Sequence, residues 1–328
     1  MRTSPRRHTG GLILLYHRVA EPERDPLLLS VAPRRFEDHL EVIRRLAAPT
    51  PLASIQSASP ADGRVPVAVT FDDGYADNFL AAAPLLEAAA VPATVFVVSG
   101  MVGADREFWW DELERALLAV DDAPASLELQ MSAGGPVVRF DFSDGARPDP
   151  AWNILRGDTP SQYTAAYRAL LAQLAPLEST ARDAVIDELR RWAGVTSGVR
   201  ATHRSLDEAE LLRLDAHDFV EVGAHTVGHP SLAALTESQQ RAEIEGSKSR
   251  LEELLGRPVT SFSYPFGGRD DYSRTTIRSV EAAGFDLACA NVEGRVTART
   301  DRYQLPRLLV RDWDGDELAR RLQRWLDG

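Results

Sequence analysis

The sequence predicts an α/β protein built on parallel strands. Short apolar runs alternate with stretches of helical periodicity along most of the chain. The residues able to carry chemistry sit where the apolar runs stop. Asp72 and Asp73 follow the run at 65–71, His225 follows 218–222, and Phe266 follows 260–264. Parallel sheets and barrels both gather sites at the C-terminal ends of their strands. Convergence of three such ends is easiest in a barrel.

Residues 12–16 are continuously apolar, as a buried strand is, and three prolines make 22–33 a loop. Phe36, Leu40, Ile43 and Leu46 recur at helical spacing and predict a helix over 34–46. The strand at 65–71 runs into Asp72-Asp73-Gly74. Residues 78–90 are alanine-rich and helical, interrupted by Pro84, and 93–98 form a β-branched strand ended by Ser99-Gly100. The middle departs from alternation. It has a helix at 108–120, a hairpin of 126–130 and 137–142 around Ser132-Ala133-Gly134-Gly135, and a largely helical stretch over 163–192. Residues 104–200 are therefore read as an insertion or subdomain, mainly helical, within a single domain spanning 1–328.

Alternation then resumes. Ser205-Leu206-Asp207-Glu208 reads as a capping box opening a helix, before the strand at 218–222. Thr236-Glu237-Ser238-Gln239 is a second box, opening a helix that runs to Leu255 and stops at Gly256. Residues 260–264 are a strand ended by Pro265-Phe266-Gly267-Gly268. A helix at 275–283 stops at Gly284, strands follow at 287–290 and 308–310, and a helix at 316–326 closes the chain.

A formal net charge of -12 argues against nucleic acid or an anionic membrane as partner. The single cysteine, Cys289, excludes an internal disulfide and reads as a buried small hydrophobe on a strand. Residues 1–7 are basic, but the apolar run after them is short and ends at His17-Arg18, unlike a secretory leader. No apolar run approaches the roughly 20 residues that span a bilayer. The expectation is a cytoplasmic protein without an integral membrane segment.

Two stretches carry the chemistry. In a strand, adjacent side chains point to opposite faces, so Asp72 and Asp73 can serve one site only where the strand breaks, and Gly74 supplies the break. One carboxylate can then ligate a metal while the other stays free as a base. His225 and His229 are four apart, with Gly228 and Pro230 favouring a loop or single turn over a helix. Both imidazoles can reach one divalent ion at about 2.0–2.1 Å. Two histidines and one aspartate leave a position open for water, which marks a catalytic site. No G-x-S-x-G elbow or G-x-G-x-x-G fingerprint is present, so serine-esterase and dinucleotide readings lose support.

These residues resemble the polysaccharide deacetylases, carbohydrate esterase family 4, also called the NodB homology domain. Thr70-Phe71-Asp72-Asp73-Gly74 is similar to the family's T-F-D-D-G motif, His225-Thr226-Val227-Gly228-His229 to H-[ST]-x-x-H, and Tyr264-Pro265-Phe266-Gly267 to R-x-P-[YF]-G. The resemblance covers roughly 10–100 and 200–315. It implies a distorted (β/α)7-type barrel and metal-dependent N-deacetylation of an N-acetylated amino sugar. Asp73, His225 and His229 would bind the metal, with zinc the default ion. Asp72 would be the base that deprotonates the metal-bound water, and the Phe266 N–H would help hold the oxyanion.

Two family residues are missing from their usual places. The arginine of the third motif falls at Ser263, which leaves Asp72 without its usual partner. The stretch 305–311 carries no histidine to act as general acid. His17 is the substitute, because Tyr16-His17-Arg18-Val19 follows the first strand. A similar Tyr-His element begins the deacetylases of exopolysaccharide biosynthesis. Trp109-Trp110 reads as core or lid packing, and Arg307 and Trp313 are candidates to line the pocket. His8, His39, His203 and His217 read as surface or capping residues without partners. Two rival functions follow from the same residues: a hydrolase of non-sugar C–N bonds such as cyclic imides or ureides, and a degenerate carbohydrate-binding protein.

Overall fold

The computed structural model describes residues 10–58, 64–120, 124–132, 134–143, 147–195 and 198–327. His8, the basic stretch 1–7 and Ala133 of the hairpin turn lie outside the described residues. The strands are β1 (Gly10–Tyr16), β2 (Arg18–Val19), β3 (Ser30–Val31), β4 (Ala48–Pro49), β5 (Pro66–Phe71), β6 (Ala93–Val97), β7 (Ser126–Gln130), β8 (Val137–Asp141), β9 (Val220–Ala224), β10 (Ser261–Ser263), β11 (Leu287–Cys289), β12 (Val296–Thr297) and β13 (Leu308–Leu309). The α-helices are α1 (Pro33–Leu46), α2 (Ala83–Ala89), α3 (Trp109–Leu117), α4 (Gln162–Leu174), α5 (Ser179–Trp192), α6 (Glu208–Asp215), α7 (Glu237–Leu255), α8 (Arg274–Ala282) and α9 (Gly315–Asp327).

Seven strands run parallel in the order β13-β1-β5-β6-β9-β10-β11. Beyond β11 the chain pairs back on itself through a parallel bridge between Cys289 and Leu305, just before β13 rejoins β1. The sheet is thus a distorted (β/α) barrel. Period-2 alternation sorts its side chains. Leu12, Leu14, Val67, Val69, Val95 and Val97 face the helices, while Ile13, Ala68, Phe96 and Cys289 form a separate inner cluster. The interior is tightly filled at Gly223. A Cβ at Gly223 would come within 2.6 Å of the Phe96 ring and of Ser261 Oγ.

The hairpin β7–β8 and the helices α3, α4 and α5 share a second hydrophobic cluster, which also takes in Tyr75 and Val98 from the barrel side. Among the described residues no helix is long and apolar enough to cross a membrane.

Several local expectations are corrected. The box at Ser205 belongs two residues later: Asp207 caps α6 and Glu210 returns the bond. Ser205 Oγ is taken by the Met101 carbonyl, and Leu206 N–H by the Gly74 carbonyl at 3.0 Å. Residues 78–90 are not one α-helix. Pro84 has no N–H to give, and the chain opens into a π-helical turn over Asn78–Ala82 before α2. His39 and His203 are buried, at 0% and 6% exposure. His39 lies on the inner face of α1, with Nδ1 3.3 Å from the Tyr16 hydroxyl and Nε2 2.8 Å from the Trp313 carbonyl. His203 Nδ1 is 2.9 Å from Thr202 Oγ1. His217 has a partner too, with Nε2 3.4 Å from Glu87 Oε2.

Candidate active site

Each site residue follows a parallel strand or interrupts the loop after one. Asp72 and Asp73 follow β5, His225 follows β9, His17 follows β1 and Phe266 lies three residues past β10. Three of the candidate site residues hold left-handed backbone: Asp73 (φ 76), His229 (φ 58) and Phe266 (φ 58). Thr226 does as well, at φ 65. Non-glycine residues adopt this region at a cost of about 1–3 kcal/mol each, and such strain clusters at functional sites. Gly74, at φ 83, completes the break that turns Asp73 away from the strand direction of Asp72.

Asp73, His225 and His229 offer one ligand atom each, all within 4.8 Å of one another and all buried. Asp73 Oδ1 is 3.6 Å from His225 Nε2 and 3.5 Å from His229 Nε2. It has no hydrogen-bond partner among the described residues. His225 Nδ1 lies 2.8 Å from the Ser263 carbonyl, which makes Nδ1 the donor and leaves the Nε2 lone pair facing Asp73. Burial pushes the His225 imidazole below its usual pKa, against the charge of Asp72. Burial also pushes His229 well below, aided by His225. Burial raises the Asp73 carboxyl, and the Asp72 charge adds to it. Two neutral imidazoles and a buried carboxylate oxygen with no partner are a donor set that a divalent cation fits.

Asp72 differs sharply from its neighbour. Arg307 grips it bidentately, with Nη1 2.7 Å from Oδ1 and Nη2 2.7 Å from Oδ2. Ser263 Oγ donates to Oδ2 at 3.2 Å. Burial alone would raise the Asp72 carboxyl, but the Arg307 guanidinium outweighs it, with help from His225, and holds it well below the usual carboxylate range. Arg307 is itself fully satisfied. Its remaining bonds go to the Ala290 carbonyl at 3.1 Å, Thr70 Oγ1 at 3.3 Å and Ser263 Oγ at 2.8 Å.

The expectation that Asp72 lacks a guanidinium is therefore corrected. Arg307 supplies it from the residue before β13, through the barrel interior, across the space that Ser263 leaves open. No spacing rule links 307 to 72. The available signal was an arginine inside the otherwise apolar run 305–310.

His17 lines the same cavity, of about 520 Å³, as Asp72, Asp73, His225, His229 and Phe266. Burial pushes its imidazole down to about 4, against the pull of Asp72. It rests neutral. The Phe266 ring lies 4.8 Å from His229, and its backbone N–H has no partner among the described residues. Trp109 and Trp110 are buried and also line the cavity. The Trp110 ring meets His229 edge-on at 4.8 Å. Its Nε1 donates to Tyr75 Oη, which donates to Asp111 Oδ2, both at 2.7 Å.

The histidine loop is pinned from both sides by residues the sequence did not single out. Glu243 of α7 accepts from the N–H groups of Val227 and Gly228 at 2.8 Å, and Arg182 of α5 donates to the His229 carbonyl at 3.2 Å. The two pocket candidates, Arg307 and Trp313, both line an adjoining cavity instead, although Arg307 reaches Asp72 from there.

A family model described as polysaccharide deacetylase matches residues 60–119 and 187–288. YxkH of Bacillus subtilis (strain 168), whose name places it among the polysaccharide deacetylases, is 27% identical over 105 residues. That match spans 32% of this chain and 36% of the relative. The deacetylase PplD of Streptococcus pyogenes, solved with acetate, superposes with a TM-score of 0.57 at 17% identity, covering 97% of this chain and 99% of that one. IcaB from Ammonifex degensii superposes at 0.55 with 17% identity, covering 98% of each chain. At these identities the structures speak for the fold.

Proposed function

Because this chain carries a polysaccharide deacetylase domain, we propose that it hydrolyses the N-acetyl group of an amino sugar, using a divalent metal. Asp73, His225 and His229 would hold the ion, and zinc suits two imidazoles and a carboxylate, although such a donor set also accepts other divalent ions. When bound, the ion would lower the pKa of water towards about 7 and polarise the acyl carbonyl. Asp72, kept ionised by Arg307, accepts the proton of the attacking water. Phe266 lines the cavity, and its N–H, without a partner among the described residues, would donate to the developing oxyanion. His17 passes a proton to the leaving amine. Its low pKa makes it a strong donor once a proton reaches it through the open side of the cavity.

One observation carries the reading: an ionised, guanidinium-clamped Asp72 stands beside an aspartate and two neutral histidines whose ligand atoms converge. A binding protein has no need of that clamp, which weighs against the degenerate carbohydrate-binding alternative. The test is acetate release from a panel of N-acetylglucosamine oligomers and glycosides. Chelation should abolish release, and zinc or cobalt should restore it. No acetate from any member with the metal restored would refute the proposal.

A further inference from the structure

The cavity over Asp72 borders a second one of about 580 Å³, and the two share Asn291, Leu309 and Arg311 as lining residues. The second cavity is lined by Arg311, Arg321 and Arg324 together with the indoles of Trp313 and Trp325. Its one lining carboxylate, Glu293, accepts from Trp325 Nε1 at 3.1 Å. Arg324 is exposed and makes no hydrogen bond or ion pair among the described residues. Arg311 donates to the carbonyls of Leu27 and Leu28 at 2.8 and 2.6 Å and has no carboxylate within ion-pair reach among them. Arg321 is paired with Glu317 at 2.7 Å and lies over Trp313, 4.2 Å from its ring centre. A third space of about 270 Å³ shares Arg324 and Trp325 and adds Arg295.

In a chain of net charge -12, this cationic concentration runs against the average. Glu317 offsets Arg321, but Arg311 and Arg324 have no carboxylate within ion-pair reach among the described residues, and an anion between them relieves their repulsion. Guanidinium forks match phosphate oxygens in pairs, and indole faces accept a flat or apolar group beside them. Arg311 stands at the junction, so an anion there stays joined to a sugar seated over Asp72. We propose that the second cavity binds a phosphate ester carried by the substrate. The sugar acted on is then a phosphate-linked N-acetylated amino sugar, in place of a neutral polymer. This rests on the deacetylase reading above.

The experiment compares acetate release by the metal-loaded enzyme from methyl N-acetylglucosaminide, N-acetylglucosamine 1-phosphate and uridine diphosphate N-acetylglucosamine. A hydrogen bond to a charged group is worth roughly ten-fold or more. Either phosphate ester should therefore exceed the neutral glycoside in kcat/KM by at least about ten-fold. The order of the two tells whether a nucleoside belongs to the ligand. Arg324→Gln should cut the ratio of phosphate to neutral kcat/KM by about ten-fold, through KM, and added salt should shrink the ratio in the parent. Equilibrium dialysis of the 1-phosphate and the sugar nucleotide reads binding without turnover. Binding that Arg324→Gln weakens, with no acetate released, would sustain the anion subsite and overturn the deacetylase reading. Equal acetate release from all three substrates, indifferent to Arg324, would overturn the subsite alone. Neither binding nor release would overturn both.

Discussion

Replacing Arg307 by methionine tests the clamp on Asp72, because methionine fills similar space and carries no charge. Arg307 is buried at 1% exposure, and every one of its polar bonds ends on a buried group or a carbonyl. Removing one partner of a buried ion pair costs about 3–5 kcal/mol, since the other charge is left unpaired. With about 2.1 cal/mol/K of unfolding entropy per residue, that lowers Tm by about 4–7 °C for a chain of this length. The loss depends on pH in a defined direction. In the parent the folded Asp72 carboxyl is held below its unfolded value, so its stabilisation is present above about pH 3.9 and fades as pH falls through the folded value. In the variant the main counterweight to burial is gone, so the carboxyl rises above its parental value and the variant loses stability relative to the parent as pH rises. The Tm gap should be wider at pH 7 than at pH 4, measured by calorimetry on both proteins. In the acetate assay, kcat/KM at pH 7 should fall at least about 100-fold, with partial recovery towards higher pH as Asp72 ionises. A Tm gap equal at pH 4 and pH 7, or a variant with parental kcat/KM, would refute the argument.

Two further outcomes follow from the neighbouring groups. Asp73→Asn should abolish metal retention in elemental analysis, yet should raise the Tm of the metal-free protein at pH 7. The parent Asp73 carboxyl is raised by burial and by the Asp72 charge, so it weakens the metal-free fold as pH climbs above the unfolded value near 3.9. A lower metal-free Tm would contradict this. His17→Ala should cut turnover by about 10²–10⁴ while metal content stays at the parental level, and unchanged turnover would sink the general-acid role.

The parts of the fold that were legible in the sequence are those decided locally. The helix α7 shows this well: the box at Thr236 and Gln239, and the left-handed stop at Gly256, lie where the pattern put them. The box before α6 was misplaced because Ser205-x-x-Glu208 and Asp207-x-x-Glu210 satisfy the same pattern. What decided between them was tertiary, since the Ser205 hydroxyl is taken by the Met101 carbonyl. His39 reads as a surface residue by polarity, but it sits on the Phe36–Leu40–Ile43 face, where Nε2 donates to the Trp313 carbonyl and Nδ1 accepts from the Tyr16 hydroxyl. The Asp-Asp-Gly and His-x3-His stretches revealed the convergent cluster because each is compact in sequence. The clamp on Asp72 is not compact, and no local pattern reports it.

The clamp also shows how far a missing motif residue can be read as a missing function. A carboxylate at the mouth of a distorted parallel barrel is surrounded by the inner positions of several strands, so its partner can enter from any of them that has room. Here β10 presents Ser263 where the family pattern has arginine. That small side chain opens the interior, and Arg307 crosses it to make the same bidentate pair. The serine is more than a gap. Its hydroxyl bonds to both the carboxylate and the guanidinium, and its carbonyl sets the tautomer of His225. One residue thus couples the base to the neighbouring histidine of the cluster. The physical requirement at this site is a buried, fully bonded guanidinium against Asp72, and the strand that delivers it is free to change.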